Sequence, residues 1–283
     1  MEFFTLNNGH LMPALGYGCN SLGRSKDDWV MEPDGDYRPL YYALNAGYRF
    51  FDTAIRYHNE SALGLFLSEY SEEHHILRDE FFLSTKIPTE SPYVESPAAS
   101  RSYIERSLSR LHTDHLDMLL IHGPRKENMD TTLDLWRVME EMYDEGKLRN
   151  IGISNFYVPQ LEWFLPKVRI KPAVNQIMIN LGVRNQDAVD WCRQNDILPA
   201  AWSPLRNARQ ENIAELNVIG RKYGKTWAQV LLRYYKQQGI LVVTKSHVEK
   251  EVVQNLNVFD FKLTDDELKR IDAMEGGDFV PKV

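Results

Sequence analysis

Three segments follow one another between residues 49 and 86: RFFDTAIRY (49–57), ESALGLFLSEY (60–70) and EFFLSTK (80–86). The first and third contain short apolar runs, which are typical of buried strands, whereas the second repeats apolar residues at helical spacing. A strand, a helix and a strand in this order predict two parallel strands joined by a crossover helix. This stretch therefore indicates an α/β fold.

The same alternation continues through the rest of the chain. Eight segments have the pattern of strands: ALGYG (14–18), RFFDT (49–53), EFFLST (80–85), LDMLLIH (116–122), RNIGIS (149–154), PAVNQI (172–177), ILPAAWS (197–203) and GILVVT (239–244). Eight strands, each followed by helix, predict a (β/α)8 TIM barrel formed by a single domain over residues 1–283. The alternative is an open doubly wound sheet, whose glycine-rich turn after the first strand is only weakly matched by residues 16–20. At the start, EFFTL, NNG and HLMPAL (2–15) predict an N-terminal β-hairpin.

Composition excludes several classes of protein. The net charge is −7 and no basic run stands out, so we expect no nucleic-acid partner. No segment approaches eighteen uninterrupted apolar residues, so we expect no membrane partner. The only cysteines are Cys19 and Cys192, which fits a reducing compartment, and no signal peptide is evident. These features predict a cytoplasmic protein.

Four residues at or near the ends of predicted strands suggest a catalytic site: Asp52, Tyr57, Lys86 and His122. In a parallel barrel, the carboxyl ends of the strands surround one pocket, so these side chains are expected to meet. An ammonium near a phenol lowers the phenol's pKa, and a carboxylate holds that ammonium charged. The arrangement predicts that Tyr57 donates a proton to a carbonyl oxygen.

Each of these residues also has simpler interpretations. A carboxylate and a lysine at strand ends commonly form an ordinary ion pair. Lys86 in a barrel is also compatible with a Schiff-base aldolase. A metal-dependent hydrolase fits poorly, because the histidines lack ligand spacing and a metal site is therefore not expected. We expect surface positions for four of them, His74, His75, His112 and His115.

An ordered set of motifs resembles the aldo-keto reductase superfamily, in particular its short-tailed microbial members. The motifs are FDTAIRYHNE (51–60), STK (84–86), LIHGP (120–124), IGISNF (151–156), VNQ (174–176), WSPL (202–205) and TKS (244–246). The resemblance extends from LNNGHLMPALGYG (6–18) to DFKLTDDELKRIDAM (260–274). It implies reduction of an aldehyde or ketone by hydride from NADPH.

The resemblance also implies a role for each of the four residues. Tyr57 would protonate the carbonyl oxygen, and Lys86 would lower the pKa of the phenol. Asp52 would hold Lys86 in place. His122 would orient the carbonyl as a neutral imidazole, because it faces the same cationic site.

Further residues match the cofactor-binding positions of the family. Ser154, Asn155 and Gln176 match residues that hold the nicotinamide carboxamide, and Trp202 matches an aromatic platform beneath the ring. The pyrophosphate, 2′-phosphate and adenine positions correspond to Ser203, Leu205, Lys245, Ser246, His247, Gln254 and Asn255. Structural alternatives remain for three of them, with Trp202 in the core, Asn155 as a helix N-cap, and Gln176 as a buried amide bonded to backbone.

One departure from the family concerns cofactor choice. Relatives often carry an arginine six residues after the lysine of the KS segment, where this chain has Glu251. A carboxylate beside a phosphate is repulsive. NADP(H) remains the expected cofactor, but we expect a weaker preference for it, and NAD(H) is the alternative. A second interpretation is that Glu251 points outward.

Other departures concern the substrate pocket. Asn20 and Gly123 stand where relatives often carry aromatic residues, which predicts a roomier and more polar site. The loop over residues 23–37 is long and contains Trp29; it is either a lid that contributes Trp29 to the pocket or a solvated excursion. Because the C-terminal tail is short, we expect this loop, rather than the tail, to close the substrate pocket.

Two other functions remain open at this level. Some relatives bind the cofactor as regulatory modules with little turnover, although a binding module has little need of a tuned phenol. A dehydrogenase that oxidises an alcohol is the other alternative. The expected partner is a small carbonyl or alcohol substrate, and the resemblance favours a monomer.

Overall fold

The computed structural model describes residues 1–24 and 34–277. Within them, the strands are β1 Phe3–Thr5, β2 Leu11–Pro13, β3 Leu15–Gly18, β4 Phe50–Asp52, β5 Phe82–Ile87, β6 Met118–Ile121, β7 Ile151–Ser154, β8 Val174–Met178, β9 Leu198–Trp202 and β10 Leu241–Thr244. The α-helices are α1 Arg38–Ala46, α2 Glu60–His74, α3 Pro97–Arg110, α4 Met129–Asp144, α5 Val158–Phe164, α6 Gln186–Gln194, α7 Gln210–Arg221, α8 Trp227–Gln237, α9 Glu249–Leu256 and α10 Asp265–Asp272.

Eight parallel strands close into a barrel in the order β10-β3-β4-β5-β6-β7-β8-β9. The two neighbours that close it, β10 and β3, pair Val242 with Leu15 and Thr244 with Tyr17. Strands β1 and β2 form a separate antiparallel pair, with a turn at Gly9 whose φ is +87°. The predicted (β/α)8 barrel with an N-terminal hairpin is therefore confirmed.

Two apolar layers hold the barrel together. Inside it, Phe50, Phe82 and Met118 belong to one cluster of buried side chains, and the hairpin adds Leu6 and Met12 to that cluster. The larger cluster packs the outer faces of the strands against the helices. Burial on both faces explains why the strand segments read as apolar runs rather than as alternating patterns.

Helix boundaries follow the capping chemistry of the sequence. Helix α1 ends at Gly47, which adopts the left-handed conformation expected of a glycine after a helix. Helix α10 begins after Thr264, and Thr264 and Glu267 form the predicted capping box. Helix α2 extends to His74, four residues beyond the pattern read at 60–70.

Two local features differ from the sequence-based expectations. Residues Ile55–Tyr57 form a single 3-10 turn after β4, which the pattern did not predict. His115 was expected at the surface, but its side chain is only 12% exposed. It lies beside Asp114, Asp79 and Asp117, so the expectation of a solvated surface histidine was wrong there.

The loop over residues 23–37 lies mainly outside the described residues, as does Trp29.

Gly64 allows α2 to pack closely against the end of α3. A Cβ atom at this position would lie 2.4 Å from the carbonyl oxygen of Arg110 and 2.6 Å from Cα of Leu111. Both contacts are with backbone, which cannot rotate away as a flexible side chain would.

We predict that Gly64→Ala destabilises the protein, although alanine is the better helix former. Because the clash is with backbone, the overpacking is expected to cost about 2–3 kcal/mol, so that after the ~1 kcal/mol gained in helix propensity the free energy of unfolding falls by about 1–2 kcal/mol. Urea denaturation measures the change. Ser68→Ala, at an exposed position of the same helix, is the matched control and should have little effect. Unchanged stability of Gly64→Ala would contradict the close packing.

Candidate active site

The structure brings Asp52, Tyr57, Lys86 and His122 together at the carboxyl end of the barrel. Strands β4, β5 and β6 are neighbours. Asp52 is the last residue of β4, Lys86 the last but one of β5, and His122 follows β6 directly. Tyr57 ends the 3-10 turn that leaves β4. The turn directs the chain back over the barrel mouth, which places the phenol beside the strand ends.

A buried ion pair between Lys86 and Asp52 lies within the site. Lys86 Nζ donates to Asp52 Oδ2 at 2.5 Å and to the carbonyl oxygen of Thr53 at 2.8 Å. The two side chains are 1% and 5% exposed. Burial alone lowers the pKa of Lys86, but the negative charge of Asp52 and the hydrogen bonds of the ammonium outweigh it, so the pKa is raised. Lys86 therefore remains an ammonium at neutral pH.

Tyr57 lies against this ammonium. Lys86 Nζ is 5.1 Å from the centroid of the Tyr57 ring, and that ring meets the His122 ring edge to face at 5.7 Å. Burial raises the pKa of Tyr57, while the charge of Lys86 and a hydrogen bond from it lower the pKa. The net direction is upward, so the expectation of a phenol pKa below its ordinary value was wrong. Burial of the hydroxyl exceeds the attraction of the ammonium, which Asp52 partly cancels.

His122 is a neutral imidazole in this environment. Burial lowers its pKa to about 3, and the charges of Lys86 and Arg56 act in the same direction. The expected neutral state therefore agrees with the structure, although burial contributes more than the neighbouring cations. Nδ1 of the ring is buried without a hydrogen-bond partner in the described part of the chain. A proton on Nδ1 would be a buried unsatisfied donor, so the Nε2–H tautomer is favoured.

A second group of residues continues the site along β7, β8 and β9. Asn155 donates to the carbonyl oxygen of His122 at 2.9 Å and accepts from the indole nitrogen of Trp202 at 3.0 Å. Its backbone has a φ of +60°, which aims the amide at these partners. Ser154 donates to the carbonyl oxygen of Gln176 at 2.6 Å. Gln176 itself donates to Asp52 Oδ1 at 3.1 Å and so joins the two groups.

The structural alternatives for these residues do not fit the contacts. The N-cap of α5 is Tyr157, so Asn155 does not cap that helix. Trp202 is half-buried at the barrel rim, and its indole is held by Asn155, which is unlike a core position. The Gln176 amide donates to a carboxylate rather than to backbone.

The residues matched to the rest of the cofactor lie around the ends of β9 and β10. Ser203 has a φ of +54°, and Leu205 is half-buried. Lys245 donates to the hydroxyl of Ser21 at 2.6 Å, and His247 Nε2 lies 2.9 Å from the same hydroxyl. On α9, Gln254 is half-buried and Asn255 is buried.

Glu251 does not point away from this segment. It is the third residue of α9, and its carboxylate accepts a hydrogen bond from the Ser246 hydroxyl at 2.7 Å. The same hydroxyl accepts from the backbone nitrogen of Val248 at 3.0 Å. A negative charge therefore lies directly on the segment that resembles the 2′-phosphate site.

Two of the three predicted pocket residues lie within the described part of the chain. Asn20 is half-buried, and its carbonyl oxygen accepts from Arg24 at 3.3 Å. A Cβ atom at Gly123 would have Cβ of Asn155 as its nearest described neighbour, at 4.0 Å. Among the described residues, none fills the space beside Gly123, and this fits the expected roomier pocket. Trp29 lies outside the described residues.

Asn59 belongs to the site but was not singled out from the sequence. Its carbonyl oxygen accepts from the Thr53 hydroxyl at 2.6 Å, and its amide donates to the carbonyl oxygens of Cys19 and Leu22 at 2.6 and 3.3 Å. Because the Thr53 carbonyl oxygen accepts from Lys86, Asn59 connects the first loop to the ammonium. The signal that could have identified Asn59 from the sequence was its position within the FDTAIRYHNE motif.

Arg24 was also missed. Its side chain is among the largest fully buried ones, and it donates to the carbonyl oxygen of Tyr57 at 3.2 Å. This contact fixes the end of the 3-10 turn that carries the phenol. An arginine within a polar loop gives no sequence signal of burial, because the packing that encloses it comes from distant segments.

Two other kinds of site find no support in the described chain. Residues 1–24 and 34–277 contain no group of three or more histidine, cysteine, aspartate or glutamate side chains that could hold a metal ion. Over the same ranges, every helix is too short or too polar to cross a membrane.

A cavity of about 470 Å³ opens near the hairpin, beside Phe3, Leu11 and Arg149, but Arg149 is already paired with Asp79 and Asp117.

Comparison with known proteins gives consistent results. A profile of the Aldo/keto reductase family matches residues 14–275. Glyoxal reductase of Bacillus subtilis (strain 168) is 35% identical over 269 residues, covering 95% of this chain and 91% of the relative. The 9,11-endoperoxide prostaglandin H2 reductase of Trypanosoma cruzi (strain CL Brener) is 34% identical, covering 97% and 93%. An aldo-keto reductase of the silkworm Bombyx mori, solved in complex with NADPH, superposes with a TM-score of 0.85 at 32% identity, covering 98% and 88%.

The buried ion pair leads to a test of stability. We predict that Lys86→Met lowers the free energy of unfolding at pH 7 by about 3–5 kcal/mol, because it leaves the Asp52 carboxylate buried without its counter-ion. The double variant Asp52→Asn/Lys86→Met removes that charge and should recover most of the loss. Urea denaturation of the two single variants and the double variant measures the coupling. Additive effects would show that the two groups do not depend on each other.

Proposed function

The chain belongs to the aldo/keto reductase family, and from that premise we propose that it reduces an aldehyde or ketone with NAD(P)H, with Tyr57 as the proton donor. The observation that carries the proposal is the phenol of Tyr57 beside a buried ammonium that is itself held by a carboxylate. The cofactor supplies the hydride that reduces the carbonyl carbon. The residues of the chain supply the proton and stabilise the charge on oxygen.

The raised pKa of Tyr57 keeps the phenol in the protonated state that a proton donor requires. Because burial raises the pKa, the phenol keeps its proton at neutral pH and has it available for the developing alkoxide. Lys86 then stabilises the phenolate that remains, since the ammonium lies against the ring. Oxidation of an alcohol requires the phenolate from the start. The rate of alcohol oxidation is therefore expected to increase as the pH rises toward the pKa of Tyr57.

His122 has the properties of an orienting donor. Its pKa of about 3 keeps the ring neutral through the physiological range. With its proton on Nε2, the ring donates a hydrogen bond to the carbonyl oxygen without competing to protonate it. Tyr57 and His122 lie edge to face, so both can approach the same oxygen. The two donors would together stabilise the negative charge that develops there.

The residues around the mouth fit a nicotinamide cofactor. Trp202 is half-buried with its indole nitrogen fixed by Asn155, which suits a flat ring lying on the indole. Ser154, Asn155 and Gln176 carry hydroxyl and amide groups beside that platform, and Lys245 offers a cation for phosphate. The NADPH complex of the silkworm relative supports binding of a nicotinamide cofactor here as well. Glyoxal reductase, among the relatives, supports a small polar carbonyl substrate.

We predict that Tyr57→Phe removes most turnover and leaves cofactor binding nearly intact. Loss of a proton donor is expected to lower kcat about 10²- to 10⁴-fold, while the change in NADPH fluorescence on binding persists. Tyr103→Phe makes the same chemical change on α3 and serves as the control. Full turnover of Tyr57→Phe would disprove its role, and absence of turnover in the wild-type protein with aldehydes and ketones would favour a regulatory binding module.

Cofactor preference follows from Glu251. Its carboxylate is bonded to Ser246, so a 2′-phosphate at this segment would meet a negative charge, whereas the 2′-hydroxyl of NADH would not. Lys245 partly offsets the repulsion. NADPH therefore remains a cofactor in this proposal, but NADH is expected to serve at a comparable efficiency.

We predict that Glu251→Gln raises the ratio of kcat/KM for NADPH to that for NADH by roughly threefold to tenfold, because it removes one repulsive charge. Steady-state kinetics with both cofactors measures the ratio. Glu249→Gln removes an equal charge from the same turn of α9 and is the matched control. A wild-type protein that strongly prefers NADPH would be inconsistent with the role given to Glu251.

A further inference from the structure

Arg56 and Glu90 form an ion pair at the mouth of the site. Arg56 Nε donates to Glu90 Oε1 at 2.8 Å, and a terminal nitrogen of the same guanidinium contacts the same oxygen. Two donors therefore share one acceptor atom, which differs from the bidentate pairing that a guanidinium forms with both oxygens of a carboxylate. The two side chains are 46% and 45% exposed. Neither residue has a role in the proton transfer described above.

The ion pair lies above the reacting groups rather than on a remote surface. Arg56 directly precedes Tyr57 in the 3-10 turn after β4, and Glu90 lies in the loop after β5. The neighbouring Thr89 hydroxyl donates to the carbonyl oxygen of Gly123 at 2.8 Å, which holds this loop beside the end of β6. The guanidinium thus extends from the Tyr57 turn to the Thr89–Glu90 loop, and that loop is held against Gly123. Its charge is also one of the causes of the low pKa of His122.

We propose that Arg56 binds an anionic group of the substrate, a carboxylate or a phosphate, so that the preferred substrates are aldehydes or ketones that carry such a group near the carbonyl. The inference rests on the proposed reductase function and specifies the substrate class. A guanidinium is the side chain best suited to this task, because its planar fork matches the oxygens of both anions.

Glu90 does not prevent this binding. An exposed ion pair contributes little to stability, because water screens it and two long side chains must be held still. Exchange of the Glu90 carboxylate for a substrate anion therefore costs little. A substrate anion can also offer one oxygen to each of the two donors, which share a single Glu90 oxygen in the ion pair. In this view Glu90 keeps the guanidinium over the mouth until substrate arrives.

The surrounding residues are consistent with a polar, charged substrate. His122 is neutral and offers no competing positive charge. Gly123 lies beside the Thr89–Glu90 loop, and a Cβ atom there would have no described neighbour closer than 4.0 Å. Asn20 stands at a position where the family often has an aromatic residue, and it is a polar residue instead. An anion next to the carbonyl would be attracted by Arg56, and the carbonyl would remain within reach of Tyr57.

Matched pairs of substrates test the proposal. One pair is 4-oxobutanoate and its methyl ester, and the other is glyceraldehyde 3-phosphate and glyceraldehyde. We expect the wild-type protein to prefer the charged member of at least one pair. Arg56→Gln should lower kcat/KM for that member about tenfold more than for its neutral partner, mainly through KM, because a charge-assisted bond is lost. The pair that shows the effect identifies carboxylate or phosphate as the preferred anion.

Two further variants complete the experiment. Glu90→Gln removes the competing carboxylate and should raise kcat/KM for the charged member several-fold. Arg137→Gln removes an exposed, ion-paired arginine from α4 and is the matched control, with no change in the charged-to-neutral ratio. Equal losses for charged and neutral substrates in Arg56→Gln, or no loss for either, would overturn the proposal while the reductase function stands. Absence of NAD(P)H oxidation with all four compounds would overturn the anion proposal, whereas the reductase function would fall only if other aldehydes and ketones were not reduced either.

Discussion

The ion pair between Lys86 and Asp52 is the interaction on which the site depends. Two charges removed from water are stable only when each has close partners, and here each has more than one. Lys86 also donates to the Thr53 carbonyl oxygen, and Asp52 also accepts from Gln176. The pair therefore holds the Lys86 ammonium at the carboxyl end of the barrel. Through Asp52 and Gln176 it also connects β4, β5 and β8. The charge of Lys86 also acts on Tyr57 and His122, where it lowers the pKa of both groups.

At Tyr57, burial and the charge of Lys86 shift the pKa of the phenol in opposite directions, and the larger of the two effects sets the net direction. The neighbouring ammonium lowers the pKa of a phenol, which is the effect that sequence reasoning emphasised. Burial raises the pKa and is the larger effect in the described structure. The site is therefore better described as holding a protonated phenol whose conjugate base is stabilised once the proton leaves. At His122 the two effects act in the same direction, and the imidazole is neutral.

The fold could be predicted from the sequence because its signals are local. Strands buried on both faces read as apolar runs, and caps such as Gly47 and Thr264 mark helix ends. The four principal side chains could also be predicted, because they lie at or near the carboxyl ends of strands and these ends surround one pocket in a parallel barrel. The partners of those side chains were not predictable. The contacts of Asn155 with His122 and Trp202 require a left-handed backbone and residues 33 and 47 positions away. Burial of Arg24 depends on packing that no pattern encodes.

Asn59 joins the beginning of the first loop to the strand that carries the acid of the ion pair. Its amide holds the chain at Cys19 and Leu22, and its oxygen holds Thr53. One side-chain amide therefore joins two parts of the chain that lie 37 and 40 residues away from it with a third close by, the residue after the acid of the ion pair. Because the carbonyl oxygen of that third part accepts from the Lys86 ammonium, loss of Asn59 would release the start of the first loop and the surroundings of the ammonium together.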